Sequence, residues 1–324
     1  MRAKLSIVLS ALAAMVWAVP IVGAAPLASR PGVRPVARPF AIEARSVTGM
    51  PLPARFRLQK ESGLLLRVWL NGSGPYIFAI DTGAGLNVIT ERVVTDARLP
   101  FKTVRPTMMG GLTAATISSN REAVISQMAL GDQANTVASQ KTAVIVPSLS
   151  PGIDGILDPT ETYAPYGYSI DISNQRIEAV DTKWPSGQSL QRVEDGAVVP
   201  WIRMGGSNRP FVRLGDGRVA LIDTGSGFGL AVSDRNAVII GNERGRGNTQ
   251  GVRDIGGGTI FSRRVSPSTI SIGELELRGI PTDILSQLQD DAPLILGRDA
   301  LYPFKITFDP RRRLIEFVTS AENN

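Results

Sequence analysis

Asp81 and Asp223 occupy the same tetrapeptide, Ile-Asp-Thr-Gly, at 80–83 and 222–225. Each copy follows an apolar run, Tyr76-Ile77-Phe78-Ala79 or Val219-Ala220-Leu221. Each precedes a small glycine-bearing loop, Ala84-Gly85 or Ser226-Gly227. The pattern reads as a β-strand that delivers a carboxylate at its tip, where the chain turns on glycine. Two carboxylates held close together cannot both ionise easily, so one keeps a proton and the pair titrates as a unit. The charged member can take a proton from a water while the protonated member polarises a carbonyl. That chemistry requires no metal, cofactor or covalent intermediate. A lone Asp-Thr-Gly would read as a turn in which the aspartate accepts local backbone hydrogen bonds. Two copies in one context point instead to an internal repeat that assembles a site.

A true duplication must match elsewhere. Gly155-Ile156-Leu157-Asp158, Tyr168-Ser169-Ile170-Asp171-Ile172 and Arg176-Ile177-Glu178 follow the first motif. Leu294-Ile295-Leu296-Gly297, Ile306-Thr307-Phe308-Asp309 and Leu314-Ile315-Glu316 follow the second. About 90 residues separate Asp81 from Asp171, and about 86 separate Asp223 from Asp309. A glutamate follows seven residues later in both copies, Glu178 and Glu316. Each half also carries a glycine-rich turn, Met109-Gly110-Gly111 and Ile255-Gly256-Gly257-Gly258, in the same place in the order.

With these residues in place, the chain resembles the aspartic peptidases of the pepsin and retropepsin type. Leu294-Ile295-Leu296-Gly297-Arg298-Asp299-Ala300-Leu301 is similar to the retropepsin segment that threads behind the motif loop. The resemblance covers roughly residues 60–320. It implies a mostly β, two-lobed acid-protease fold, with two related β-barrel-like lobes and a cleft between them. It implies a catalytic pair, Asp81 and Asp223, acting on an extended polypeptide. It also implies that Thr82 and Thr224 brace the loops against each other, and that Gly83 and Gly225 keep them slim and offer backbone groups to substrate. Ser226 resembles the pepsin loop, where the hydroxyl bonds the adjacent carboxylate. Gly110, Gly111, Gly256 and Gly257 are the flap candidates. The chain departs from the family at two points. Asp158 stands where the pattern has glycine, so either a carboxylate lies behind the first loop and raises the pKa of Asp81, or the alignment slips and Gly155 serves. The flap region 100–125 also has no tyrosine or tryptophan, which favours a glycine flap.

Composition removes several alternatives. With no cysteine and no histidine, Ser-His-Asp and Cys-His hydrolysis and Cys/His zinc sites are ruled out, and no metal site is expected. Disulfide staples are ruled out as well. Gly225-Ser226-Gly227-Phe228-Gly229 lacks the spacing and the strand-helix-strand context of a dinucleotide loop. Lys and Arg total 35 against 29 Asp and Glu, but the excess lies upstream: residues 61–324 hold 26 basic and 28 acidic residues. No basic face with interleaved aromatics supports nucleic-acid binding, and Arg311-Arg312-Arg313 reads as a solvated hairpin tip.

Arg2 and Lys4, the apolar stretch Leu5 to Val19 and Val22-Gly23-Ala24 form an export signal, expected to span 1–25. The destination is then the periplasm or the exterior, with an uncleaved N-terminal anchor as the alternative. Residues 26–55 read as a Pro/Arg-rich leader or linker, 56–184 as the first lobe and 185–324 as the second. Leu64 to Leu70 and Tyr76 to Ile80 form a hairpin around Asn71-Gly72-Ser73-Gly74. Thr90 to Leu99 is expected to be a helix, with a counterpart after Ser233. Trp69, Trp184, Trp201 and Phe308 read as core or lobe-interface residues. Because each half supplies one loop, a monomer is expected to suffice for activity. The competing functional reading is a catalytically inactive bilobal protein that binds a peptide or polymer of the cell envelope.

Overall fold

The computed structural model describes residues 49–110, 116–138, 140–181, 196–205, 207–239, 249–253, 259–286 and 288–320. The expected signal, most of the leader, the lobe boundary at 184/185 and Trp184 lie outside these residues. Among the described residues the first half runs β1 (Ala54–Arg55), β2 (Arg57–Gln59), β3 (Gly63–Leu70), β4 (Ser73–Ile80), β5 (Val88–Thr90), α1 (Glu91–Asp96) and β6 (Phe101–Gly110). It continues through β7 (Thr116–Ile125), β8 (Met128–Leu130), β9 (Lys141–Val146), β10 (Gly155–Leu157), α2 (Pro159–Tyr163), β11 (Gly167–Asp171) and β12 (Arg176–Val180). The second half opens with β13 (Gly196–Pro200), β14 (Phe211–Arg213), β15 (Val219–Ile222), β16 (Leu230–Val232), α3 (Asp234–Ile239) and β17 (Thr249–Arg253). It closes with β18 (Thr259–Ile272), β19 (Leu275–Leu285), β20 (Leu294–Leu296), α4 (Arg298–Leu301), β21 (Phe304–Asp309) and β22 (Leu314–Thr319).

The protein is mostly β and built twice on one plan. The first lobe's sheet has the order β2-β3-β4-β10-β5-β9-β7-β6, and the second has β14-β15-β20-β16-β19-β18-β17. Apart from β2, and from β8 paired to the outer edge of β3, the two orders match strand for strand. The directions match too: β4 and β10 are parallel, as are β15 and β20. The next pair is antiparallel and the one after it parallel in both lobes. Among the described residues no sheet closes on itself, so the barrel-like lobes expected from the sequence are open sheets there.

A third sheet, β1-β12-β11-β21-β22-β13, takes strands from both halves. Its central pairing, β11 with β21, sets Tyr168 opposite Phe308, Ser169 opposite Thr307 and Ile170 opposite Ile306. Under the repeat, Tyr168 corresponds to Ile306 and Ile170 to Phe308, so the register maps onto itself when the halves are exchanged. The local two-fold relation passes between Ser169 and Thr307. Tyr168 stacks on Phe308 with ring centroids 4.7 Å apart, and Trp201 meets Phe308 edge-on at 6.0 Å. All three rings are buried, which fixes this junction as core. Trp69 is only half-buried and lies under the Arg67 guanidinium rather than in the core.

Local chemistry explains the smaller elements. The β3–β4 hairpin forms as its turn residues require. The expected helix at Thr90 to Leu99 is shorter, because Arg98 has a left-handed φ of 49° that ends the helical path. Thr90 stands at its N-cap position without a side-chain capping bond. Ser233 Oγ accepts from the Asn236 N–H at the start of α3, the counterpart helix. Asp171 and Asp309, the repeated strand aspartates, accept from backbone N–H groups three residues on, Asn174 and Arg312. They secure matching hairpin turns. The three arginines 311–313 lie in the second of these turns, as expected. Ala54–Arg55, within the expected leader, instead extends the shared sheet beside β12, and Asn135 clamps Leu52 through both its N–H and its carbonyl.

Candidate active site

Strands β4 and β15 end at Ile80 and Ile222, and the backbone N–H groups of Asp81 and Asp223 donate to the Leu157 and Leu296 carbonyls, at 3.0 and 2.9 Å. The parallel neighbours β10 and β20 thus hold the two motif loops in equivalent ways. Within each loop the carboxylate accepts from the second residue on: Gly83 N–H reaches Asp81 Oδ1 at 2.8 Å, and Gly225 N–H reaches Asp223 Oδ1 at 2.9 Å. Asp223 Oδ1 also accepts from the Ser226 N–H at 3.1 Å. The Ser226 backbone makes this contact, and the Ser226 hydroxyl accepts from the Phe228 N–H instead. That differs from the hydroxyl–carboxylate bond the resemblance implied. Ser226 Oγ is turned under its own loop, toward Gly297.

The two loops interlock through their threonines. Thr82 N–H donates to Thr224 Oγ1 (3.1 Å), and Thr224 N–H donates to Thr82 Oγ1 (3.0 Å). Each hydroxyl then donates across the junction, Thr82 to the Ile222 carbonyl (2.7 Å) and Thr224 to the Ile80 carbonyl (3.1 Å). Four crossed bonds between buried groups fix the spacing of the two strands that end in aspartate. The Asp81 carboxyl lies against Gly225, where an added Cβ would stand 2.5 Å from Asp81 Cγ. Only glycine leaves room for the first carboxyl beside the second loop.

The carboxyls of Asp81 and Asp223 are both buried and close enough to act on each other, and Asp223 Oδ2 meets no hydrogen-bond donor among the described residues. Burial raises Asp81. The adjacent Asp223 carboxyl, the Gly83 N–H and the charges of Arg298 and Arg209 oppose that rise. Asp223 is pushed well above the usual carboxylate range, first by burial and then by the neighbouring Asp81 carboxyl. Asp223 receives one more backbone donor than Asp81, but complete burial beside a charged neighbour outweighs it. Both carboxyls are thus raised, Asp223 the further, and the two titrate as a pair.

Asp158 occupies the position equivalent to Gly297. Both residues directly follow a strand in parallel register with the motif strand, Leu157 beside Ile80 and Leu296 beside Ile222, and both cap the next helix. The alignment therefore does not slip to Gly155. At Gly297 a Cβ would lie 2.3 Å from the Phe228 carbonyl oxygen and 2.8 Å from that of Ser226. The first lobe accommodates a side chain here by different bonding: the Asp158 N–H donates to Asn87 Oδ1 (2.9 Å), where Gly297 uses the Gly229 carbonyl. Asp158 Oδ1 accepts from the Thr160 N–H, whereas Oδ2 is buried without a partner. Burial raises Asp158 well above the usual range, and the charges of Glu161 and Asp81 add to that.

Two cations that the motifs did not single out stand at this junction. Arg298, at the start of α4, is buried behind the second loop and donates to the carbonyls of Thr224 (3.0 Å), Gly225 (2.7 Å) and, across the halves, Lys60 (3.3 Å). It belongs to the quoted Gly297-Arg298-Asp299 segment, so its position was visible in the sequence. Arg209 comes from the loop before β14, and nothing local in the sequence marked it. Of the flap candidates, Gly110 ends β6 opposite Thr116 of β7. Gly111, Gly256 and Gly257 lie outside the described residues.

Residues 66–157 match the family model described as aspartyl protease. The match runs from β3 through the first motif loop to the end of β10, and leaves the second loop outside it. No curated protein matches the chain. Together with the strand-for-strand repetition of that lobe around Asp223, the match supports an aspartic peptidase family for this chain.

Proposed function

We propose that the protein is an aspartic endopeptidase that hydrolyses extended polypeptides with Asp81, Asp223 and one activated water. The observation that carries this reading is the pair of buried, neighbouring carboxyls, brought together by crossed threonine bonds from two equivalent loops. In this reading Asp81, the less strongly raised of the two carboxyls, takes a proton from the water as its oxygen attacks the peptide carbonyl carbon. Asp223 gives its proton to the carbonyl oxygen, forming a tetrahedral diol. The C–N bond then breaks as the amine nitrogen takes the proton held by Asp81, and Asp223 recovers one from a diol hydroxyl. Thr82 and Thr224 set the spacing, and Gly83 and Gly225 keep the loops slim enough for substrate to approach.

The paired carboxyls favour hydrolysis over a binding-only role, which would have been supported by splayed aspartates. The N-terminal charge, apolar run and small-residue site support export to the periplasm or exterior. Among the described residues no helix is long and apolar enough to cross a membrane. The test compares wild type, Asp81→Asn and Asp223→Asn on a mixed peptide substrate from pH 3 to 8. Each substitution is expected to lower kcat by about 10²–10⁴-fold or more while leaving the circular dichroism spectrum unchanged. Equal cleavage by either variant would refute the assignment.

A further inference from the structure

The two motif loops are backed by different chemistry. Behind the second, Gly297 packs against the carbonyls of Ser226 and Phe228, and the next residue, Arg298, donates to those of Thr224 and Gly225. Behind the first, the same two places hold Asp158 and Pro159, and proline has no donor to offer. Asp158 also lies beside the dyad. Leu157 pairs with Ile80 in parallel register, its carbonyl accepts from the Asp81 N–H, and Asp158 and Asp81 are the residues that follow. The Asp158 carboxyl is buried. Its Oδ1 accepts from the Thr160 N–H at 3.0 Å, and its Oδ2 meets no donor among the described residues.

As an anion this carboxyl would have the Thr160 N–H and little else among the described residues. Asp81 stands on the motif loop and Glu161 on α2, and the charge of each opposes a charge on Asp158. From β11 comes Tyr168, which burial keeps neutral and whose hydroxyl lies 3.1 Å from Thr160 Oγ1. From the turn beyond the loop comes Asn87, whose Oδ1 accepts the Asp158 N–H. Two cations belong to these surroundings. Lys141 donates to the Glu161 and Ala164 carbonyls of α2, and the Arg209 stem packs against Gly85 of the motif loop. Neither donates to Asp158 Oδ2. An ionised Asp158 would therefore set two carboxylates side by side on neighbouring strands, with one oxygen unsolvated. The loop could answer only by returning a proton to Asp81 or by moving, and either ends the action of Asp81 as a base. We propose that Asp158 is a positioning residue for the first loop, and that the loop is competent only while this carboxyl is neutral. The alkaline limit of activity is then set behind the loop rather than by the last proton of the dyad. The inference rests on the hydrolytic reading above.

The pH profile of kcat/KM tests it, with wild type, Asp81→Asn, Asp158→Asn and Asp158→Ser compared as full chains on one peptide substrate. Asparagine keeps the shape and the acceptor for Thr160 but cannot ionise, and serine keeps a helix cap. The alkaline midpoint is expected to rise by about one pH unit or more in either Asp158 variant, while the acid midpoint stays in place. A purely structural role would lower the whole profile without moving the alkaline midpoint. A midpoint that stays or falls in a folded variant overturns the proposal and leaves hydrolysis standing. Carboxyl-carbon NMR of aspartate-labelled wild type adds a comparison that needs no variant to fold. Asp158 should titrate at the alkaline midpoint of activity, and the Asp81 signal should shift in the same step. Separate midpoints, or an Asp158 that stays neutral beyond the alkaline limit, overturn the proposal. If no cleavage depends on Asp81, the hydrolytic reading falls and the NMR titration alone decides. A shared step then upholds the coupling of Asp158 to the loop, and an Asp81 signal that ignores the ionisation of Asp158 overturns it.

Discussion

Asp158 puts a third carboxyl behind the first loop, with the Thr160 N–H on one oxygen and no hydrogen bond to the other. Burial raises it first, and the charges of Glu161 and Asp81 also favour its neutral form. Its folded pKa is raised, so from the ordinary aspartate range upward the folded protein holds a proton that the unfolded chain has released. Stability therefore falls as pH rises through that window and is greatest at its acid end. Asp158→Asn keeps the shape and removes the titration. Urea unfolding midpoints of variant and wild type are expected to lie close together at pH 4 and to separate by pH 7, with the variant the more stable. Midpoints that move in parallel would show that Asp158 ionises freely in the folded protein. The position was legible in the sequence as a departure, but its consequence was not. Whether the chain slipped to Gly155 depended on the parallel pairing of β10 with β4, a contact between strands some 75 residues apart.

At the scale of elements, α2 is held at both ends: Asp158 caps its start, and Lys141 reaches up from β9 to its last turn. Lys141 Nζ donates to the carbonyls of Glu161 (3.1 Å) and Ala164 (3.0 Å). Burial lowers its pKa from 10.5 to about 8. Between pH 8 and 10.5 the unfolded chain carries a proton that the folded protein has released, so the contribution of this lysine to stability grows with pH there. Lys141→Met leaves two carbonyls unmet and is expected to cost about 1–3 kcal/mol at pH 8. In thermal unfolding the gap to wild type should widen toward pH 10. A constant gap would mean that the amine titrates normally. Sequence patterns revealed the strands, the turns and the two motif loops, because those signals are local and repeat. They could not reveal Lys141 under α2, Asn87 behind Asp158 or Arg209 beside Gly85, since each meets its partner only after the sheets assemble. Helix α1 came out shorter than its apolar pattern suggested because one left-handed residue, Arg98, ended it.

For the whole molecule, the shared sheet and the crossed threonines mean that one chain supplies every part of the dyad. Specific activity per chain is therefore expected to stay constant on dilution through any association equilibrium, followed by peptide cleavage alongside light scattering. A loss of activity on dilution, with the monomer still folded, would place the working site between chains. The duplication was legible throughout, from paired motifs to matched spacings, because both halves kept the same order of parts. The self-matching register of β11 with β21 was not, since no residue pattern encodes which strand will lie beside which.

The threonine cross-bonds also say something about ancestry. Taken alone, either half would lose the partners of its threonine N–H, of the carbonyl before its aspartate and of the hydroxyl between them, all of which the other half supplies. A half-length forebear could have closed this ring of bonds only on a second copy of itself. The register at Ser169 and Thr307, unchanged by exchanging the two halves, is what such a pairing would leave behind after the two copies were joined into one gene.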